Sequence, residues 1–200
     1  MPTRKPNPEW DPVYFSNYRR DLFSASKWKR QADALFEAAA LVEVEVREIW
    51  AHNMRWVRDK AKGDAGMRPR ASEAYSIYFM LLAFAVENLF KARLIRENYH
   101  LFRSQYEQGG KLPNALKSHD LVMLAGKVGF QPTLEEEDLL RRLTRAGVWA
   151  GRYPVPTEFR DAANDEEFSD GTTWHVSYFS EDDPERVHRF IARLRTEIGV

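Results

Sequence analysis

In the apolar run Ala83-Phe84-Ala85-Val86-Glu87-Asn88-Leu89-Phe90-Lys91-Ala92, Glu87 and Lys91 stand one helical turn apart with Asn88 beside them. On a solvated face such a pair is routine, worth roughly 0.2–0.5 kcal/mol. Its stripe here also holds Met80, Ala83, Phe84 and Leu94, which predicts an apolar seam where charges persist only if paired. Downstream, His119-Asp120 follows Ser118 at a predicted helix start. An imidazole there suits acid–base work near neutral pH, whereas an aspartate in a first turn complements the helix dipole. Arg141, Arg142, Arg145 and Arg152 then share a strip, with Gly147 and Gly151 small enough for close approach of a backbone or a ligand. Their planar donor forks suit phosphate, and they also suit a solvated surface. Arg186, Arg189 and Arg193 form a second stripe that reads as solvated. No phosphate-binding glycine loop, dinucleotide fingerprint, zinc-helix motif or nucleophile elbow is present, so neither a metal nor a cofactor is called for.

The elements that must position these residues are helical. Residues 26–62 lack Gly and Pro, and Leu35, Ala38, Ala39, Val42, Val46, Ile49, Trp50, Met54 and Val57 recur at three- and four-residue spacing. This predicts a long amphipathic helix, ended by Gly63, Gly66 and Pro69. A second helix is predicted from Ser72 as N-cap to about Asn98, apolar nearly all round and therefore central. Ser118 is expected to cap a short helix to Lys127. Thr133 with Glu136 forms a capping-box signature for a helix reaching Ala150, and Asp183 as N-cap with Pro184 at the first helical position opens the last one, with Val187, Ile191, Leu194 and Ile198 inward. Ahead of the first long helix, Pro2, Pro6, Pro8 and Pro12 among scattered aromatics predict an extended arm over residues 1–26, with at most one helical turn in it, packed on the chain's own body or on a partner subunit. Between Val155 and Asp182 the chain is acidic and irregular. There Trp174, Val176 and Tyr178 alternate, as in an extended packed loop or a strand paired with residues 156–160; the loop reading is preferred. The fold class is thus all-α: an antiparallel four- to five-helix bundle with a long first helix, an extended N-terminal arm and an irregular acidic insertion before the last helix, the bundle occupying residues 27–200.

Lys and Arg total 30 and so do Asp and Glu, so overall charge steers the chain toward neither nucleic acid nor an anionic membrane. The absence of cysteine excludes disulfides, thiolate metal sites and cysteine nucleophiles. The start, Met1 to Pro6, lacks the apolar core of a signal peptide, and the apolar run Tyr78–Val86 is too short to span a bilayer. A cytoplasmic protein with no membrane association is expected.

Read together and in order, Ala85-Val86-Glu87-Asn88-Leu89-Phe90-Lys91-Ala92, His119-Asp120-Leu121 and Arg152-Tyr153-Pro154 resemble the marks of the HEPN superfamily of helical-bundle domains, over about residues 72–156. The resemblance implies a bundle that is often dimeric and occurs in bacterial toxin–antitoxin and phage-defence systems, where many members are metal-independent ribonucleases with a composite site across the dimer. It implies ligand-binding roles for Glu87, Asn88, Lys91, His119, Asp120, Arg152 and Tyr153, and makes His119, Arg145 and Arg152 the catalytic candidates. The family's nuclease motif, an arginine followed four to six residues later by a histidine in the later helices, is missing: no histidine follows Arg145 in that window. Arg47 with His52 and Arg93 with His100 fit the spacing elsewhere. With 21 arginines and five histidines, chance supplies about one or two such matches. Three readings follow: a module that binds RNA, a nucleotide or a cognate protein, as a homodimer; a divergent ribonuclease; or a dimerising bundle whose polar seam sets register.

Overall fold

The computed structural model describes residues 12–63, 68–70, 74–150, 165–167, 173–175 and 182–199. Helix α1 (Pro12–Leu22) leads into α2 (Ala25–Ala61) and α3 (Ala74–Gly109), followed by the short α4 (Asn114–Lys117) and α5 (Leu121–Lys127), then α6 (Leu134–Arg145), which continues as a turn of π-helix over Ala146–Ala150, and finally α7 (Asp183–Ile198). The protein is an all-α helical bundle.

α2 and α3 form its spine. They run antiparallel, since Trp28 lies against Lys91, Glu43 against Tyr78 and Trp50 against Tyr75. α3 is enclosed through most of its length: Tyr78, Phe79, Val86, Leu89, Phe90 and Ile95 are buried on successive faces. α7 then fills the groove beside both. Its Val187, Phe190, Leu194 and Ile198 are buried, and its last carbonyls, orphaned at the helix end, accept hydrogen bonds from Arg93 and Arg96 of α3.

Four expectations need correction. The stretch expected as an extended arm contains the three-turn α1, because Pro12 pre-sets the first helical φ and no proline follows before Pro69. Phe23, just past α1, packs edge-on against Tyr106 with ring centres 5.6 Å apart, so this aromatic lies on the chain's own body. Residues 1–11, including Trp10, lie outside the described residues, as does Ser72. α3 does not end at Asn98. The backbone departs from helical geometry there (φ −118°, ψ 24°), the Asn98 amide donates to the Leu94 carbonyl at 3.0 Å, and the helix resumes to Gly109. Asp120 rather than Ser118 caps α5, its carboxylate accepting the Met123 amide at 2.9 Å while the Ser118 hydroxyl accepts that of Asp120 at 3.1 Å. Finally, Thr173–His175 is a strand rather than a loop, paired antiparallel with Asp165–Glu167; residues 156–160 lie outside the described residues.

The capping box at the head of α6 is present in both directions, Thr133 with the Glu136 amide at 3.2 Å and Glu136 with the Thr133 amide at 2.8 Å. Gly147, in the π-turn, sits where a Cβ would lie 3.0 Å from that of Ala83, so the close approach to α3 foreseen for this glycine is made to a helix of the same chain.

Candidate functional site

α3 delivers Glu87 and Lys91 into the seam. Lys91 Nζ donates to Glu87 Oε1 at 2.6 Å, and the lysine side chain is only 3% exposed. The indole ring of Trp28, from α2, lies 5.7 Å from the ammonium and supplies a weakly attractive π-face. The second carboxylate oxygen turns the other way: Glu87 Oε2 meets His119 Nδ1 at 2.9 Å. His119, on the linker between α4 and α5, is 55% exposed. A buried cation, a largely buried carboxylate and a surface imidazole thus form one chain.

The linker carrying His119 is held from two sides. Asp120 caps α5, and Thr144 of α6 accepts the Leu121 amide at 3.1 Å while donating to the Leu140 carbonyl at 2.8 Å. With Glu87 ionised beside Lys91, its carboxylate can only accept, so His119 Nδ1 carries the proton and Nε2 is the other ring nitrogen, with the lone pair in the neutral form. Such an imidazole accepts a proton at Nε2 when neutral and donates to a phosphate oxygen when charged.

The remaining candidates separate. Asn88 donates its amide to the Phe84 carbonyl at 2.8 Å, and lines a shallow groove with Trp28 and Gln31. Asp120 serves the helix start. Arg145 ends α6 one residue beyond Thr144, which places it on the element that clamps the His119 linker. Arg152 and Tyr153 lie outside the described residues. The two chance arginine–histidine matches dissolve into other contacts: His52 Nε2 meets the Arg68 carbonyl at 2.9 Å, and Arg93 holds the end of α7.

Two polar clusters escaped the sequence reading. In the first, Glu43 of α2 is 8% exposed and accepts from Tyr78 at 2.9 Å, His188 Nε2 at 2.8 Å and Arg47 Nε at 2.7 Å, joining α2, α3 and α7. Burial pushes the Glu43 carboxyl up, but the hydrogen bonds from His188, Arg47 and Tyr78 together outweigh it and hold the group below its ordinary range. Burial, reinforced by the Glu43 charge, holds the Tyr78 phenol protonated. The stability that ionised Glu43 confers is therefore fully present above its ordinary value of 4.5 and fades as pH falls through its lower folded-state value. Urea unfolding of wild type and Glu43→Gln is expected to show a gap near neutral pH that narrows on acidification below about pH 4. A gap of constant size throughout would refute the ionised role of Glu43.

The second cluster corrects both arginine stripes. Arg142 is 6% exposed and grips Asp183 with two parallel hydrogen bonds of 2.7 and 2.9 Å, so it belongs to the interior rather than to a phosphate-facing strip. Asp183 is in turn the first residue of α7 rather than its N-cap, which falls at Asp182. Nor are Arg186 and Arg193 merely solvated: Arg186 pairs with Glu135 at 2.6 Å, and Arg193 pairs with Glu136 and lies over the Phe130 ring at 4.8 Å. The signals available were Glu43-x-x-x-Arg47 within the buried stripe of α2 and an aspartate directly before Pro184. Among the described residues, no group of three or more His, Asp or Glu could hold a metal ion, and no helix is long and apolar enough to cross a membrane.

No protein-family model, no curated protein and no solved structure matches this chain.

Proposed function

We propose that this chain is a HEPN-like helical module that binds RNA at the face carrying His119, acting as a cytoplasmic homodimer in a bacterial defence or toxin–antitoxin setting. One observation carries the reading: Glu87 joins the buried Lys91, at 2.6 Å, to an imidazole at the surface, at 2.9 Å. A polar seam serving only to set register needs no outlet to solvent, and a Glu–Lys pair closed on itself in a dry core would be the better solution for it. Arranged as it is, the buried pair orients a hydrogen-bonding ring where a phosphate or ribose can reach it. The resemblance supplied by the three sequence marks points the same way.

A second reading is favoured by the ring's orientation. With Nδ1 committed to Glu87, Nε2 of His119 can remove the proton of a ribose 2′-hydroxyl, and Arg145 and Arg152 are the candidates to stabilise the charge that builds on phosphorus. This is a divergent, metal-independent ribonuclease.

Incubation with a mixed RNA pool in EDTA, with retention and cleavage both measured for wild type, His119→Ala and Arg152→Ala, tests the two together. RNA retention that weakens in His119→Ala without cleavage is expected of the binding module. Cleavage lost in both variants establishes the nuclease. RNA neither retained nor cut by the wild-type protein, or handled identically by all three, overturns the site.

A further inference from the structure

The kink at Asn98 precedes the last three turns of α3, and residues of α1 and of this outer segment line one cavity. Its volume is about 180 Å³, and it is walled by Phe23, Tyr99 and Tyr106 and rimmed by Arg19, Arg20 and Arg103. Among the described residues, its lining carries three guanidinium groups and one carboxylate, Glu107, in a protein whose overall charge is zero. The local excess is positive and is placed beside aromatic rings.

The donors are arranged to be shared with a ligand. Arg103 spends Nε on Glu107 at 2.9 Å and Nη1 on the Tyr99 hydroxyl at 3.2 Å, which fixes the plane of the guanidinium and leaves its Nη2 group without a hydrogen bond among the described residues. Having accepted from Arg103, the Tyr99 hydroxyl still has its own proton to donate. Arg20 reaches Asp21 only at 3.4 Å and shares that carboxylate with Lys27, so among the described residues its guanidinium is only weakly engaged. Burial raises the Tyr106 phenol above its ordinary value, with Tyr18 contributing, so it too is a donor at neutral pH. Ser16 adds a hydroxyl to the lining.

A site whose polar groups are nearly all donors, with cationic forks at its rim, is complementary to a phosphate dianion. Its aromatic walls accept a planar ring by stacking or edge contact. The volume is too small for a drug-sized ligand but suits a phosphate with one ring system at its back. We infer that the cavity between α1 and the outer part of α3 binds a phosphomonoester carrying a planar ring, either a free aromatic phosphate or the phosphorylated end of a strand. This site rests on groups separate from Glu87, Lys91 and His119, and it stands or falls independently of the role given to them.

Calorimetric titration of the full chain with phenyl phosphate, AMP, adenosine, inorganic phosphate and a 5′-phosphorylated RNA oligonucleotide tests it. Phenyl phosphate or AMP is expected to bind about tenfold or more tightly than either adenosine or inorganic phosphate, since each of the latter lacks half of the recognised group. Binding of the phosphorylated oligonucleotide alone would make the strand end the natural source. Affinity is expected to fall about tenfold in Arg103→Ala, and nearly as far in Arg103→Lys, which keeps the charge and loses the fork, while His119→Ala leaves it unchanged. Arg103 is 57% exposed, so these variants should fold as wild type does. The inference is overturned if adenosine binds as tightly as AMP, if none of the phosphate esters binds, or if Arg103→Ala and Arg20→Ala both bind like wild type.

Discussion

Asp183→Ala is expected to destabilise the protein by about 3–5 kcal/mol, the usual consequence of removing one partner from a buried ion pair. Asp183 is fully buried, and its carboxylate closes a two-bond clamp on Arg142, whose side chain is 6% exposed. Burial alone would pull the Arg142 guanidinium down, yet the hydrogen bonds and charge of Asp183 more than compensate and hold it above its ordinary value. Without Asp183 the remaining carboxylate identified on Arg142 is Asp138, which is 52% exposed and touches only Nε, at 3.0 Å. The guanidinium would stay in the interior with its outer nitrogens stripped of that partner. The loss also falls at the first turn of α7, where a carboxylate favours the helix dipole. Urea unfolding followed by circular dichroism measures the effect. Arg142→Met combined with Asp183→Leu should recover most of the loss, because a buried pair replaced by apolar groups of similar volume is often neutral. A single variant within about 1 kcal/mol of wild type would show that the clamp contributes little.

This clamp also shows where the sequence stops being readable. Arg142 follows three glutamates and an aspartate along α6 and flanks the Leu139–Leu140–Leu143 face that exposed Arg141 lies opposite, but nothing within its own helix shows that it would meet a carboxylate there. Its partner is 41 residues away, and only the packing of α7 onto α6 turns the two inward. The same holds for Glu43 and His188, which are 145 residues apart. Periodicity reports which face of a helix is apolar; it does not report which polar residues at the edge of that face will meet. Local signals did better. The reciprocal bonds of Thr133 and Glu136 and the 37-residue α2 were legible because each depends on neighbours in sequence or on a run of one period. Where such signals misled, a competing local rule had won. Asn98 looked like a helix end, but by bonding back to Leu94 it lets α3 bend and continue into the segment whose Tyr99, Arg103, Tyr106 and Glu107 line the cavity against α1. Of the candidate site, the Glu87–Lys91 seam could be read from spacing in an apolar stripe, whereas His119 joined it through resemblance alone, its 32-residue separation from Glu87 carrying no periodic signal.

Glu87 is the residue on which the structural and functional roles of the site can be separated. Glu87→Ala is expected to cost about 3–5 kcal/mol, because it strands the Lys91 ammonium, 3% exposed, with the Trp28 ring as its nearest described compensation. It should also abolish the RNA interaction, since nothing then sets the His119 ring. That single result cannot distinguish a broken site from a loosened fold, so the informative comparison uses two further variants. His119→Ala removes a group that is 55% exposed and is expected to change stability by less than about 1 kcal/mol. Glu87→Leu with Lys91→Met removes the charged pair together and is expected to restore most of the stability lost in Glu87→Ala, on the same reasoning as for the Arg142 clamp. If the seam exists to present the imidazole, both should handle RNA as poorly as Glu87→Ala while unfolding close to wild type. If the seam exists only to fix the helices, RNA handling should follow stability across the series, poor in Glu87→Ala and near normal in the other two. Urea unfolding and RNA retention measured on the same preparations give the two axes. The second pattern would remove His119 from the site, because a group that is exposed, dispensable for folding and dispensable for RNA leaves its bond to Glu87 without a purpose.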